Sequence, residues 1–213
     1  MNLKYGTEMK EKYSSRRYSN LKRMISYYCQ VELVEDLKPS NILEIGVGSG
    51  FLSTYLRNRS YDVTTLDIDK DLHPDVVGDV RRLPFEDGKF DLVTAFQVLE
   101  HIPYSDFERA LGEMQRVSKR YVIISLPYRA SIFECVVSLP GMRRFLGRSS
   151  LNCMFRIPKR FDKSREHQWE IDSGRYKLER VRQDISQHFE IEKELSPAFN
   201  RFHYFFVCRK PNV

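Results

Sequence analysis

Ile42-Leu43-Glu44-Ile45-Gly46-Val47-Gly48-Ser49-Gly50 is an apolar strand pattern that runs directly into three glycines at alternate positions. A helical pattern, Phe51–Arg57, follows at once. Glycine at such a junction permits positive φ and lets a ligand approach bare backbone. The helix N-terminus beyond it offers unpaired N–H groups to an anion such as a carboxylate. Alone, a glycine loop is also an ordinary strand–helix turn, so its neighbours must decide its meaning.

The dinucleotide fingerprint needs its third glycine, or an alanine, three residues after the second, and that position is Phe51. No Gly-Lys-Ser/Thr follows, which removes a nucleoside triphosphate cradle. Downstream, Val63-Thr64-Thr65-Leu66-Asp67 ends a second strand in an acid that can accept from both hydroxyls of a ribose. A nicotinamide cofactor would use such an acid too. Asp79, in Gly78-Asp79-Val80 after a short third strand, can accept from an exocyclic amine. Each acid alone is an ordinary surface or capping residue; their order behind the glycine loop gives them weight.

Further strands are expected at Asp91–Phe96 and Tyr121–Leu126, alternating with helices such as Asp106–Val117, where Phe107, Leu111, Met114 and Val117 recur at helical spacing. This alternation predicts an α/β domain on a mostly parallel sheet. Leu21–Leu37 is an expected amphipathic helix that stops before Pro39, within an N-terminal helical cap, 1–38. Tyr176–Ser186 is another helix. Phe189–Leu195 and Phe202–Arg209 are expected to close the sheet as an antiparallel pair turning near Ser196-Pro197. Residues 128–170, with an apolar patch at Ile132–Leu139, Pro140-Gly141 and then arginines, form an insertion after the fifth strand, expected to be a lid over the acceptor pocket. The 213 residues suit a single domain, 1–213.

No window approaches the roughly 20 apolar residues that cross a bilayer. The polar N-terminus, Met1–Arg17, does not resemble a secretory signal. Cys29, Cys135, Cys153 and Cys208 form no CxxC pair, so free thiols in a reducing cytoplasm are expected. The basic residues between Arg129 and Arg165 meet only Glu134 and Asp162, so the net charge of +6 is concentrated in the insertion. A solvated face, an acidic substrate and an anionic surface all suit that segment.

Ile42 to Pro127 resembles the core of class I S-adenosylmethionine-dependent methyltransferases, a group with a seven-stranded sheet. The resemblance implies a Rossmann-like α/β fold, seven strands with an antiparallel C-terminal hairpin, helices on both faces, and S-adenosylmethionine as cofactor. It assigns the methionine end to Glu44, Gly46, Gly48 and Gly50, and the ribose to Asp67. Ile68 would cover the adenine face, and Asp79 with Val80 would read the adenine amine. Gln97, where the fourth strand exits toward the cofactor, completes the expected binding set.

Gln97-Val98-Leu99-Glu100-His101 resembles the "VLEH" motif of small-molecule methyltransferases, which makes His101 the expected catalytic or substrate-orienting residue and Glu100 a substrate-side neighbour. It is also similar to the Glu-x-x-Glu-His pattern that holds magnesium in small-RNA 2′-O-methyltransferases. Gln97 replaces the first glutamate, and an amide is a poorer partner for a hard ion, so no metal is expected. Arg165-Glu166-His167-Gln168-Trp169-Glu170 is similar to a stretch of bacterial and archaeal methyltransferase-like proteins. It adds His167 and Trp169 as expected substrate-side residues.

The resulting expectation is methyl transfer to a small or lipid-linked acceptor at oxygen or nitrogen. One alternative is a nucleic-acid methyltransferase using the basic insertion, although the Asn/Asp-Pro-Pro-Tyr/Phe motif of base methylation is missing. A catalytically silent S-adenosylmethionine-binding partner protein is the other, opposed by the intact loop with Asp67 and Asp79. A nicotinamide oxidoreductase is opposed by Phe51.

Overall fold

A computed structural model describes Tyr13 and residues 20–129, 131–147, 151–157 and 167–211. Helix α1 (Leu21–Leu37) begins where Asn20 Oδ1 accepts from the Arg23 N–H at 3.1 Å. It ends at Lys38, in the left-handed region, before Pro39. Then follow β1 (Asn41–Ile45), α2 (Phe51–Asn58), β2 (Asp62–Asp67), the short β3 (Val76–Val77), β4 (Phe90–Phe96), α3 (Phe107–Val117) and β5 (Ser118–Pro127). After the insertion come α5 (Leu178–Ser186), β8 (Glu190–Leu195) and β9 (His203–Arg209).

Seven strands form one sheet in the order β3-β2-β1-β4-β5-β9-β8. The first five are parallel; β9 runs antiparallel to both β5 and β8. Alternation along β1 divides the core: Leu43 and Ile45 pack with α3 and α5, while Ile42 packs with α1 and α2. Helices therefore cover both faces, as expected. Strand order reverses between β1 and β4, and such a switch point leaves a crevice beyond the carboxyl ends of the strands.

The insertion contains a second, two-stranded sheet: β6 (Ser131–Val137) and β7 (Leu151–Ile157) pair antiparallel, with the short α4 (Met142–Leu146) between them. Its register sets Cys135 opposite Cys153, both exposed free thiols. Glu134 Oε1 anchors the hairpin to the β8–β9 turn through Arg201 Nη2 at 2.5 Å. The basic residues Arg148, Lys159, Arg160, Lys163 and Arg165 lie outside the described residues, as does most of 1–19.

Candidate functional site

A cavity of about 440 Å³ opens at the switch point, within the usual size of a small-molecule site. Of the residues assigned from sequence, Glu44, Gly46, Gly48, Asp67, Ile68, Asp79, Val80, Gln97 and His101 all line it. Gly46, Gly48 and Gly50 all take positive φ. At Gly46 the reason is also steric, because a Cβ there would sit 2.3 Å from Val98 Cγ2. Gly50 caps α2 without a side-chain bond, and within the first turn Ser53 is turned toward the Glu44 carboxylate.

Asp67 ties the loop to the end of β2. Its Oδ2 accepts from the Val47 N–H at 2.8 Å and its Oδ1 from the Asp69 N–H at 2.9 Å. Burial raises its carboxyl above the ordinary range, against those bonds. Glu44 is more extreme: it is buried, its Oε2 has no hydrogen-bond partner among the described residues, and burial pushes its carboxyl up to about 8. Asp79 is already engaged. Arg81 Nε and Nη2 reach both of its oxygens at 2.6–3.1 Å, holding the carboxyl well below the usual range. Arg81 also donates to Asp106 Oδ2 at 2.8 Å. Asp79 and Val80 both line the cavity, with Arg81 fixing the orientation of the Asp79 carboxylate.

Gln97 leaves β4 with φ +57, an uncommon conformation for a residue other than glycine, held by its N–H to the Ser125 carbonyl at 3.0 Å. Glu100 is fully buried, and burial raises its carboxyl to about 8. His101 is exposed at the cavity, with its ring 5.1 Å from that of His167. Neither Glu100 nor His167 lines the cavity.

The expectation for Trp169 is corrected. It is 2% exposed, packed between Tyr104, Phe107 and Tyr176, and its Nε1 donates to the Ile102 carbonyl. It is a core residue that braces the Glu100–Pro103 turn from behind. Its neighbour Gln168 reaches the cavity instead. Sequence reasoning also missed Arg23, Tyr27 and Gln30, three α1 residues that wall the cavity. Their i, i+4, i+7 spacing, which places them on one helical face, was the available signal. Tyr27 stacks on Phe51 at 4.3 Å and its hydroxyl lies 2.6 Å from Ser49 Oγ, so α1 grips the glycine loop.

Comparison with known proteins agrees with this fold. Residues 43–126 match the family model described as "Methyltransferase domain". A demethylmenaquinone methyltransferase of Thermotoga maritima is 28% identical over 153 residues, covering 63% of this chain and 62% of that protein. A probable chloroplastic tocopherol O-methyltransferase of Oryza sativa subsp. japonica is 31% identical over 43% of this chain and 30% of its own length. The chain thus spans less than two thirds of the length of these curated relatives. The structure of the N-methyltransferase NodS from Bradyrhizobium japonicum, in complex with S-adenosyl-L-homocysteine, superimposes with a TM-score of 0.61 at 12% identity. It covers 97% of this chain and 98% of its own, a likeness of fold. The sheet order, the glycine loop and the match over residues 43–126 agree: this segment is similar to a methyltransferase domain, and the chain shares the fold of S-adenosylmethionine-dependent methyltransferases.

Proposed function

We propose that this chain binds S-adenosylmethionine and transfers its methyl group to an oxygen or nitrogen of a small or lipid-linked acceptor. The observation that carries the reading is Glu44 Oε2, buried and unpartnered on the wall of a cavity that also holds Asp67. A buried acid with one oxygen left unpartnered suits a ligand that brings a cation, such as an ammonium, and would repel a pyrophosphate. The glycine loop and the first turn of α2 suit the ligand's carboxylate, Asp67 suits the ribose, and Ile68 with Val80 suits the base. When bound, S-adenosylmethionine supplies an already activated methyl group, so transfer depends on in-line placement. Gln97 and His101 stand where the acceptor would enter, and His101 is placed to orient it or take its proton.

The relatives named for demethylmenaquinone and tocopherol support an apolar acceptor, as does the hairpin, where Phe133 and Phe155 are 60% and 64% exposed. Arg143 and Arg144, exposed on α4 at the far end of the hairpin, suit an anionic surface. No described hairpin residue lines the cavity, so in this reading the lid meets the acceptor's tail rather than its reacting atom. No helix among the described residues is long and apolar enough to cross a membrane.

Calorimetry tests the cofactor: heat with S-adenosylmethionine and its demethylated product, and none with NAD. The reverse pattern refutes the reading. Replacing 131–157 by a short linker should leave cofactor binding intact and abolish transfer; wild-type turnover in that variant removes the lid.

A further inference from the structure

Neither carboxylate oxygen of the fully buried Glu100 has a hydrogen-bond partner among the described residues. Buried acids ordinarily have hydrogen bonds or an opposite charge. Two imidazoles stand beside it. His101 shares its 3-10 turn, Leu99–His101, and His167 comes from the segment that returns toward the sheet. Their rings are 5.1 Å apart at 76°, and one ligand atom from each of the three residues lies within 4.8 Å of the others. Gln168 fastens the two segments, its N–H donating to the Glu100 carbonyl at 2.9 Å and its Nε2 to the His101 carbonyl at 2.8 Å. Behind His167, Glu170 Oε1 lies 2.7 Å from Nδ1, the kind of outer contact that orients metal-ligating histidines.

We propose that Glu100, His101 and His167 bind one divalent transition-metal ion, of zinc or cobalt(II) chemistry, beside the cavity, where His101 lines its wall. Two imidazoles and a carboxylate suit such borderline ions better than magnesium, which prefers an all-oxygen shell. The set differs from the magnesium pattern tested in the sequence, because Gln97 has no part in it and His167 is supplied by a remote segment. Ligand distances of about 2.0–2.2 Å ask the donors to draw closer, which rotation of the exposed His101 side chain can supply. Three protein ligands leave a coordination position open.

The use of that position rests on the methyl-transfer reading. An acceptor hydroxyl bound there loses its proton to water more readily. Its oxygen lone pair then forms the bond to the methyl carbon while the carbon–sulfur bond breaks onto sulfur. This favours an oxygen acceptor over nitrogen, with His101 acting through the ion.

The full chain, dialysed against chelator, is titrated with Co²⁺ and Zn²⁺. One ion per chain and a Co²⁺ absorption spectrum are expected, with binding weakened about 100-fold in Glu100→Gln. His101→Ala, at an exposed position, serves if the first variant fails to fold. Wild-type protein without a stoichiometric ion, or unchanged Co²⁺ binding in the folded variants, overturns the proposal. S-adenosylmethionine titrated into the same samples separates the two readings. Heat without a bound metal removes this site alone, and metal without that heat removes the methyl-transfer reading alone.

Discussion

Strand β1 and the β6–β7 hairpin are built from comparably apolar segments, yet the fold treats them in opposite ways. In β1, Ile42, Leu43 and Ile45 are buried between two helical layers, and the strand delivers the chain into a glycine loop whose Gly46 sits hard against Val98. In the hairpin, Phe133, Val137, Leu139 and Phe155 stay exposed, while Glu134 and Arg201 provide a polar anchor at its base. Burial in the first case sets the geometry of a site; exposure in the second leaves apolar surface for something outside the fold.

The sharpest test of the rigid half is Gly46→Ala. A methyl group 2.3 Å from Val98 Cγ2, on a residue at φ +85, forces the loop to move. We expect S-adenosylmethionine binding to fall by more than about 100-fold, or the fold to lose about 2–4 kcal/mol, in calorimetry and thermal melts. Neither loss would mean that the loop is as tolerant as the hairpin. Asp67→Ala should cost about 1–3 kcal/mol of cofactor binding, since it removes both the proposed ribose acceptor and the tie to Val47.

Glu44 gives a pH signature. Its folded-state carboxyl stands at about 8, above its ordinary 4.5. The stability it contributes is therefore full below about 4.5 and is lost as pH rises through about 8. Melts of the cofactor-free protein between these limits should show that decline, and Glu44→Gln should lessen it, with Glu100, also raised to about 8, carrying the rest. Cofactor affinity should rise over the same range, as an ammonium beside Glu44 favours the ionised form. At the other extreme, Phe133→Ser with Phe155→Ser should change stability by no more than about 0.5 kcal/mol in denaturant titrations. A larger loss would show that the hairpin packs on the domain.

The parallel core was legible because its signals are local. Residues 42–45 and 62–66 alternate with helical periods, and α1 is bounded by Asn20 and Pro39, so its limits Leu21–Leu37 matched the expectation. The hairpin was not legible as strands, since β6 and β7 pair across residues 138–150 and neither carries a turn signal that names its partner. Trp169 was misplaced for a related reason. Its burial depends on Tyr104, Phe107 and Tyr176, which other elements bring to it. The pairing of His101 with His167 is likewise a product of tertiary structure, invisible to spacing.

The place of β9 between β5 and β8 has a kinetic consequence. During synthesis, Val122, Ile123, Ile124 and Leu126 of β5 emerge well before the segment that pairs with them, His203–Arg209. Until that segment arrives, β5 presents an apolar strand with one row of backbone N–H and C=O groups unpaired, a template for other chains. The intervening hairpin and α5 lengthen the wait, and the long loop that must close makes the pairing slow. The nascent chain is thus most exposed to aggregation after its glycine loop has formed and before its sheet is sealed.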